Sequence, residues 1–197
     1  MTIKPNQKRH ARHVLTLRMS MRNTEPVVWR RVLVQSDLTL HALHRIFQIL
    51  MQWYDYHLYI FNLGERLFED GRIDEAENED ARKVTIGSLG LEEGDSFSYE
   101  YDFGDSWEHE IIVEEIRPWR ESMWLPWVDG GENAAPPEDA GGIPGFQELK
   151  EVLADSNHPE HARYKEWAGN DYDPYHFDVR AAQNAVILAW AWEALDT

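Results

Sequence analysis

Asp102, Asp105 and His109 lie in one short stretch, Tyr99-Glu100-Tyr101-Asp102-Phe103-Gly104-Asp105-Ser106-Trp107-Glu108-His109. Carboxylates and imidazole are the donor types that hold Mg, Mn, Zn or Fe. Glu138 and Asp139 of the downstream Pro136-Pro137-Glu138-Asp139 segment could join them. A metal-dependent hydrolase is the chemistry such a set would perform, with the ion activating water and a carboxylate accepting its proton. The chain has no cysteine, so disulfides and thiolate sites are excluded and any divalent metal must be held by His, Asp or Glu. Two further polar clusters read as structural. His158 precedes Pro159 and so falls outside the helix that would pair it with His161, and Asp171, Asp173 and His176 carry turn and cap chemistry.

The elements around the first cluster qualify its use. Phe97, Tyr99 and Tyr101 alternate with polar residues, as do Trp107, His109, Ile111 and Val113, which predicts an amphipathic β-hairpin. Pairing Tyr101 with Trp107, Tyr99 with His109 and Phe97 with Ile111 gathers the apolar side chains on one face, and a slip by one residue would mix the faces. In this register His109 points to the aromatic face and Asp102 to the acidic one, which argues against a shared metal. Gly104 is expected to supply the left-handed turn residue, with Asp102, Asp105 and Ser106 bonding turn amides.

A first strand is expected over residues 13–21 and a second over 27–34, joined as a hairpin. Asp37 or Thr39 caps a helix in which Leu40, Leu43, Ile46, Phe47 and Leu50 recur, ending near Trp53. Strands over 58–63 and 66–68 follow, then an acidic surface loop over 69–83 and a helical turn within 84–91. The Gly and Pro density from Asp129 through Gly142 is expected to rule out regular structure across that segment. Helices are expected from near Pro144, after Pro159 and after Asp178. These elements give an α+β fold, an antiparallel or mixed sheet packed by several helices. The expected division is a basic tail at 1–12 and a single domain at 13–197.

Charge is uneven. Residues 1–31 carry +7, leaving −24 for the remainder of the −17 total. One reading is nucleic-acid binding through the basic N-terminal region; the other is a solvated tail, with Arg18, Arg30 and Arg31 on outer strand faces. So negative a field repels phosphate, which counts against nonspecific duplex binding. No run of residues is apolar enough to span a bilayer, and a cytoplasmic location without membrane partners is expected. The chain holds nine Trp, and Trp119, Trp124 and Trp127 beside the Gly/Pro loop offer, with Tyr99, Tyr101 and Trp107, an aromatic-lined groove for a protein or peptide. That binding role is the favoured reading.

Several motifs together resemble the plasmid pRiA4b ORF-3-like family: Pro26-Val27-Val28-Trp29-Arg30-Arg31, Leu40-His41-Ala42-Leu43-His44 with Trp53, and His57-Leu58. The hairpin, Pro136-Pro137-Glu138-Asp139 with Gly141-Gly142, His158-Pro159-Glu160-His161 and Asp173-Pro174 complete the set, over about residues 13 to 180. The resemblance implies an α+β fold, no established activity, and for some members an accessory role on mobile elements. Many similar sequences carry cysteines around the Pro-Pro-Glu-Asp loop where this one has Ala134, Ala135 and Ala140, which weakens any zinc-thiolate proposal.

Overall fold

The computed structural model describes residues 12–70 and 78–193. The basic tail, apart from Arg12, therefore lies outside the described residues. Arg12 itself pairs with Asp37 at 2.9 Å and sits over the Trp119 ring.

Period-two alternation builds one eight-stranded mixed sheet. In chain order its strands are β1 (His13–Met21), β2 (Trp29–Gln35), β3 (Tyr59–Leu63), β4 (Arg66–Glu69), β5 (Glu79–Asp80), β6 (Ser96–Tyr101), β7 (Trp107–Pro118) and β8 (Trp127–Glu132), arranged β5-β4-β3-β6-β7-β1-β2-β8. All pairings are antiparallel except β4 with β5. The β6–β7 register is the expected one, Tyr101 with Trp107, Tyr99 with His109 and Phe97 with Ile111. Trp107, His109, Ile111 and Val113 are buried, while Glu108 and Glu114 are exposed on the opposite face. There Arg31 pairs with Glu114, and Arg18 and Arg31 lie over Trp29. Such exposed pairs contribute little individually. The sheet is therefore one-sided, and its apolar face carries the core.

Helix α1 (Leu40–Met51) covers that face. The Thr39 side chain accepts from Ala42 N at 3.1 Å, so the second of the two candidate caps is the one used. Gln52, left-handed at φ 60°, ends the helix and turns the chain back toward β3. Helices α2 (Gly142–Ala154), α3 (His161–Ala168) and α4 (Val179–Glu193) follow, with α4 against β8 and α1. Asp178 Oδ1 accepts from Arg180 N and Ala181 N, as its capping position predicts. The expected helical turn is a 3₁₀ segment, Ile86–Leu89. No helix among the described residues is long and apolar enough to cross a membrane.

Three expectations need correction. First, regular structure does extend into the Gly-rich segment, because β8 contains Gly130 and Gly131 and pairs with β2. These glycines serve close approach rather than a turn: a Cβ on Gly131 would lie 2.5 Å from the Phe177 ring and 2.9 Å from Trp29 O. The outward amide of Val128 in β8 is taken by the Gln183 side chain of α4. Second, the acidic segment expected to be all loop contains the short parallel strand β5. Third, Arg30 is not on an outer face but buried, 1% exposed, beneath Phe177 at 3.7 Å. Its guanidinium donates to the carbonyls of Leu50, Trp29 and Glu132, and burial lowers its pKa to about 9. The carbonyl of Leu50 belongs to the last turn of α1, where the helix dipole favours a cation.

Two stability predictions follow from this packing. Gly131→Ala must displace Phe177 from Arg30 and is expected to cost about 1–3 kcal/mol in urea unfolding; an unchanged midpoint would contradict the close packing. His109 is fully buried, and desolvation lowers its pKa from 6.5 to about 4. A depressed folded pKa gives stability that is complete above the unfolded value and is lost as pH falls toward 4. Between pH 7 and pH 4 the wild-type chain should lose about 3 kcal/mol more than His109→Gln, read from paired denaturation curves.

Candidate functional site

Loops bring the polar residues together at the end of the sheet where α1 meets β3. The hairpin turn between β6 and β7 is set by Asp102 and Ser106, which hold the left-handed conformations at φ 56° and 53°. Gly104 was expected in that role, and it instead lets the Asp102 carboxylate approach. Its Cβ would lie 3.2 Å from Asp102 Oδ1, which accepts from Gly104 N at 2.9 Å. Asp105 Oδ2 accepts from Gly141 N at 3.0 Å and so ties the turn to the Pro-Pro-Glu-Asp loop. Gly142 presses on the same turn, where a Cβ would lie 2.8 Å from Asp105 O.

Of the five residues expected to form a polar site, the structure gathers Asp102, Glu138 and Asp139 and leaves out Asp105 and His109. Asp105 is engaged with Gly141. His109 faces the core, as the hairpin register requires: its Nδ1 meets Tyr99 O at 3.2 Å, its Nε2 has no hydrogen-bond partner, and Trp53 stands edge-on to the ring. The histidine that does join the carboxylates is His57, in the loop between α1 and β3. Its Nε2 lies 3.1 Å from Asp139 Oδ1 and 3.5 Å from Asp102 Oδ2. Among the described residues, His57, Asp102 and Asp139 are the one group of three whose ligating atoms lie within 4.8 Å of one another. Sequence spacing concealed this residue because its partners are far along the chain. Its one visible signal was its place among the family motifs beside Leu58.

The loop carrying His57 is fixed on both sides. The Tyr101 hydroxyl accepts from Tyr56 N at 3.1 Å and from His57 N at 3.4 Å, and donates to Glu138 Oε1 at 2.9 Å. Glu138 Oε1 also accepts from Tyr54 N at 2.8 Å. Burial, then Glu138, raises the Tyr101 pKa, so the phenol stays protonated and able to donate. On the inner side Asp55 meets His44 Nε2 at 3.0 Å, while His44 Nδ1 meets the Tyr99 hydroxyl at 2.7 Å. Burial lowers the His44 pKa, and its ring stacks on Tyr59 at 3.7 Å between centroids.

The expected aromatic groove does not form from its six residues. Tyr99, Tyr101 and Trp107 are core side chains at 1%, 0% and 0% exposure, because they occupy the inward positions of the hairpin. Trp119 is half-buried against Arg12, and Trp124 and Trp127 are exposed. A groove does lie beside the Pro-Pro-Glu-Asp loop, with other aromatics. A cavity of about 260 Å³ on one side is lined by Asp139, Glu148, Tyr164 and Trp167, among others. One of about 370 Å³ on the other side is lined by Tyr54, Glu138, Asp171, Tyr172 and Trp167. Trp167 of α3 borders both. His158 stays outside α3, accepting from Glu160 N through Nδ1, and Asp173 Oδ1 accepts from Tyr175 N, as turn chemistry predicts.

Comparison with known proteins places this architecture among relatives without an assigned activity. The model of the plasmid pRiA4b ORF-3-like protein family matches residues 13–181. An uncharacterised protein, y4hQ, of Sinorhizobium fredii is 40% identical over 165 residues, covering 81% of this chain and 84% of its own. The crystal structure of MM3350, a protein of unknown function from Methanosarcina mazei Go1, superposes with a TM-score of 0.79 at 33% identity, over 87% of this chain and 98% of that one. With the family match spanning hairpin, Pro-Pro-Glu-Asp loop and α3 alike, the chain belongs to the plasmid pRiA4b ORF-3-like family.

Proposed function

We propose that the chain is a binding protein that takes a basic peptide segment in the groove between the Pro136–Asp139 loop and α3. The observation that carries this reading is Trp167, 49% exposed, whose indole borders both cavities with carboxylates on either side. Glu138, Asp139, Glu148, Asp171 and Asp173 face the groove, against Arg163, which is itself paired with Glu160 at 2.6 Å. Lysine and arginine side chains are the peptide groups such a lining favours, by charge and by cation–π contact with Trp167 and Tyr54. The net charge of −17 adds long-range attraction for the same ligand. An accessory role, as the family resemblance implies, needs only such recognition.

The test is fluorescence anisotropy with a labelled Lys- and Arg-rich decapeptide and a Glu-rich counterpart. Only the basic peptide should bind, more weakly as salt rises. Trp167→Ala should weaken it about tenfold, the scale of one desolvated cation–π contact, whereas Trp124→Ala, outside both cavities, should not. Equal loss in the two variants, or equal binding of both peptides, would defeat the groove. Displacement by a single-stranded oligonucleotide that disappears on deleting residues 1–12 would favour the N-terminal nucleic-acid reading instead.

A further inference from the structure

We infer that His57, Asp102, Glu138 and Asp139 form a binding site for one divalent ion of the Mn²⁺, Fe²⁺ or Zn²⁺ class. From His57 Nε2 the facing oxygens lie at 3.1 Å on Asp139, 3.5 Å on Asp102 and 4.0 Å on Glu138. Donors held about 2.0–2.2 Å from a common ion are separated by about 3 to 3.5 Å, so His57, Asp102 and Asp139, whose ligating atoms all lie within 4.8 Å of one another, close around a metal with small side-chain adjustments, and Glu138 Oε2 borders them on the His57 side.

A second observation is independent of the clustering. The Glu138 side chain is only 9% exposed and its Oε2 has no hydrogen-bond partner. A buried carboxylate oxygen without a donor is costly, and a cation removes that cost. Its orientation is set from behind, since Oε1 takes both the Tyr54 amide and the Tyr101 hydroxyl. Asp102 is divided in the same way, with Oδ1 on the Gly104 amide and Oδ2 toward His57. Outer hydrogen bonds of this kind are what orient metal ligands.

Charge argues in the same direction. Three carboxylates converge on one imidazole, and among the described residues no Lys or Arg pairs with any of them. One imidazole nitrogen with carboxylate oxygens suits borderline cations rather than soft ones. Asp139, its side chain 69% exposed, leaves the ion open to solvent or to a ligand donor on the groove side. The ion site does not depend on peptide recognition, and titrating each ligand alone distinguishes failure of one from failure of the other.

The experiment is calorimetric titration of the full, untagged, EDTA-stripped chain with Zn²⁺ and with Mn²⁺. One equivalent should bind at micromolar concentration or below. His57→Ala and Glu138→Gln should each weaken binding at least about tenfold, while Glu65→Gln, exposed in the turn between β3 and β4 and outside both the cluster and the groove, should leave it unchanged. Absence of binding, or affinity unaltered by both substitutions, overturns the site. Should His57→Ala fail to fold, pulsed EPR of the Mn²⁺-loaded wild-type chain decides the matter: coupling to an imidazole nitrogen supports the assignment and its absence refutes it.

Discussion

One buried hydroxyl joins the three segments on which the site stands. Tyr101 ends β6 with its ring in the core, stacked on Trp53 at 4.9 Å, and its oxygen reaches the backbone of Tyr56 and His57 and the carboxylate of Glu138. A phenol suits this position because the ring belongs to the apolar face and the oxygen extends past its edge. The loop after α1, the hairpin and the Pro-Pro-Glu-Asp loop have no shared secondary structure. Tyr101 hydrogen-bonds two of them and is itself part of the third, and Asp105 on the Gly141 amide and Glu138 on the Tyr54 amide complete the junction.

The same end of the molecule holds a second polar layer deeper in. His44, Tyr99, Gln48 and Asp55 bond to one another beneath the loop, with Gln48 Oε1 accepting from Asp55 N at 3.1 Å and Gln48 Nε2 donating to Tyr99 at 3.2 Å. Asp55 holds φ 57°, a conformation that a non-glycine residue adopts at some cost and that these bonds stabilise. Satisfied networks in a low-dielectric interior favour one geometry over its neighbours. His57 follows Asp55 by two positions, so its placement inherits that rigidity.

What could be read from the sequence was what is decided locally. The cap at Thr39, the register of β6 with β7 and the exclusion of His158 from α3 each depend on a few adjacent residues, and period or cap chemistry specifies them. The alternation already placed Tyr99, Tyr101 and Trp107 inward, which was at odds with their use as a surface groove. Features set by distant partners were hidden. Gly130 and Gly131 look like irregular loop until Trp29 and Phe177 are seen against them, and Arg30 looks like an outer strand residue until the end of α1 supplies its acceptor. His57 had no local pattern, since its carboxylates arrive from two other loops.

The amide of Val128, taken by Gln183 from α4, bears on how copies of this chain coexist at high concentration. A sheet border with free backbone donors is a template for a ninth strand from a neighbouring molecule, the first step toward fibrils. Here a helix side chain occupies a donor at that border, and at the far border the outermost strand is only two residues long. The broad one-sided sheet thus presents less free backbone for lateral growth without being rolled into a barrel.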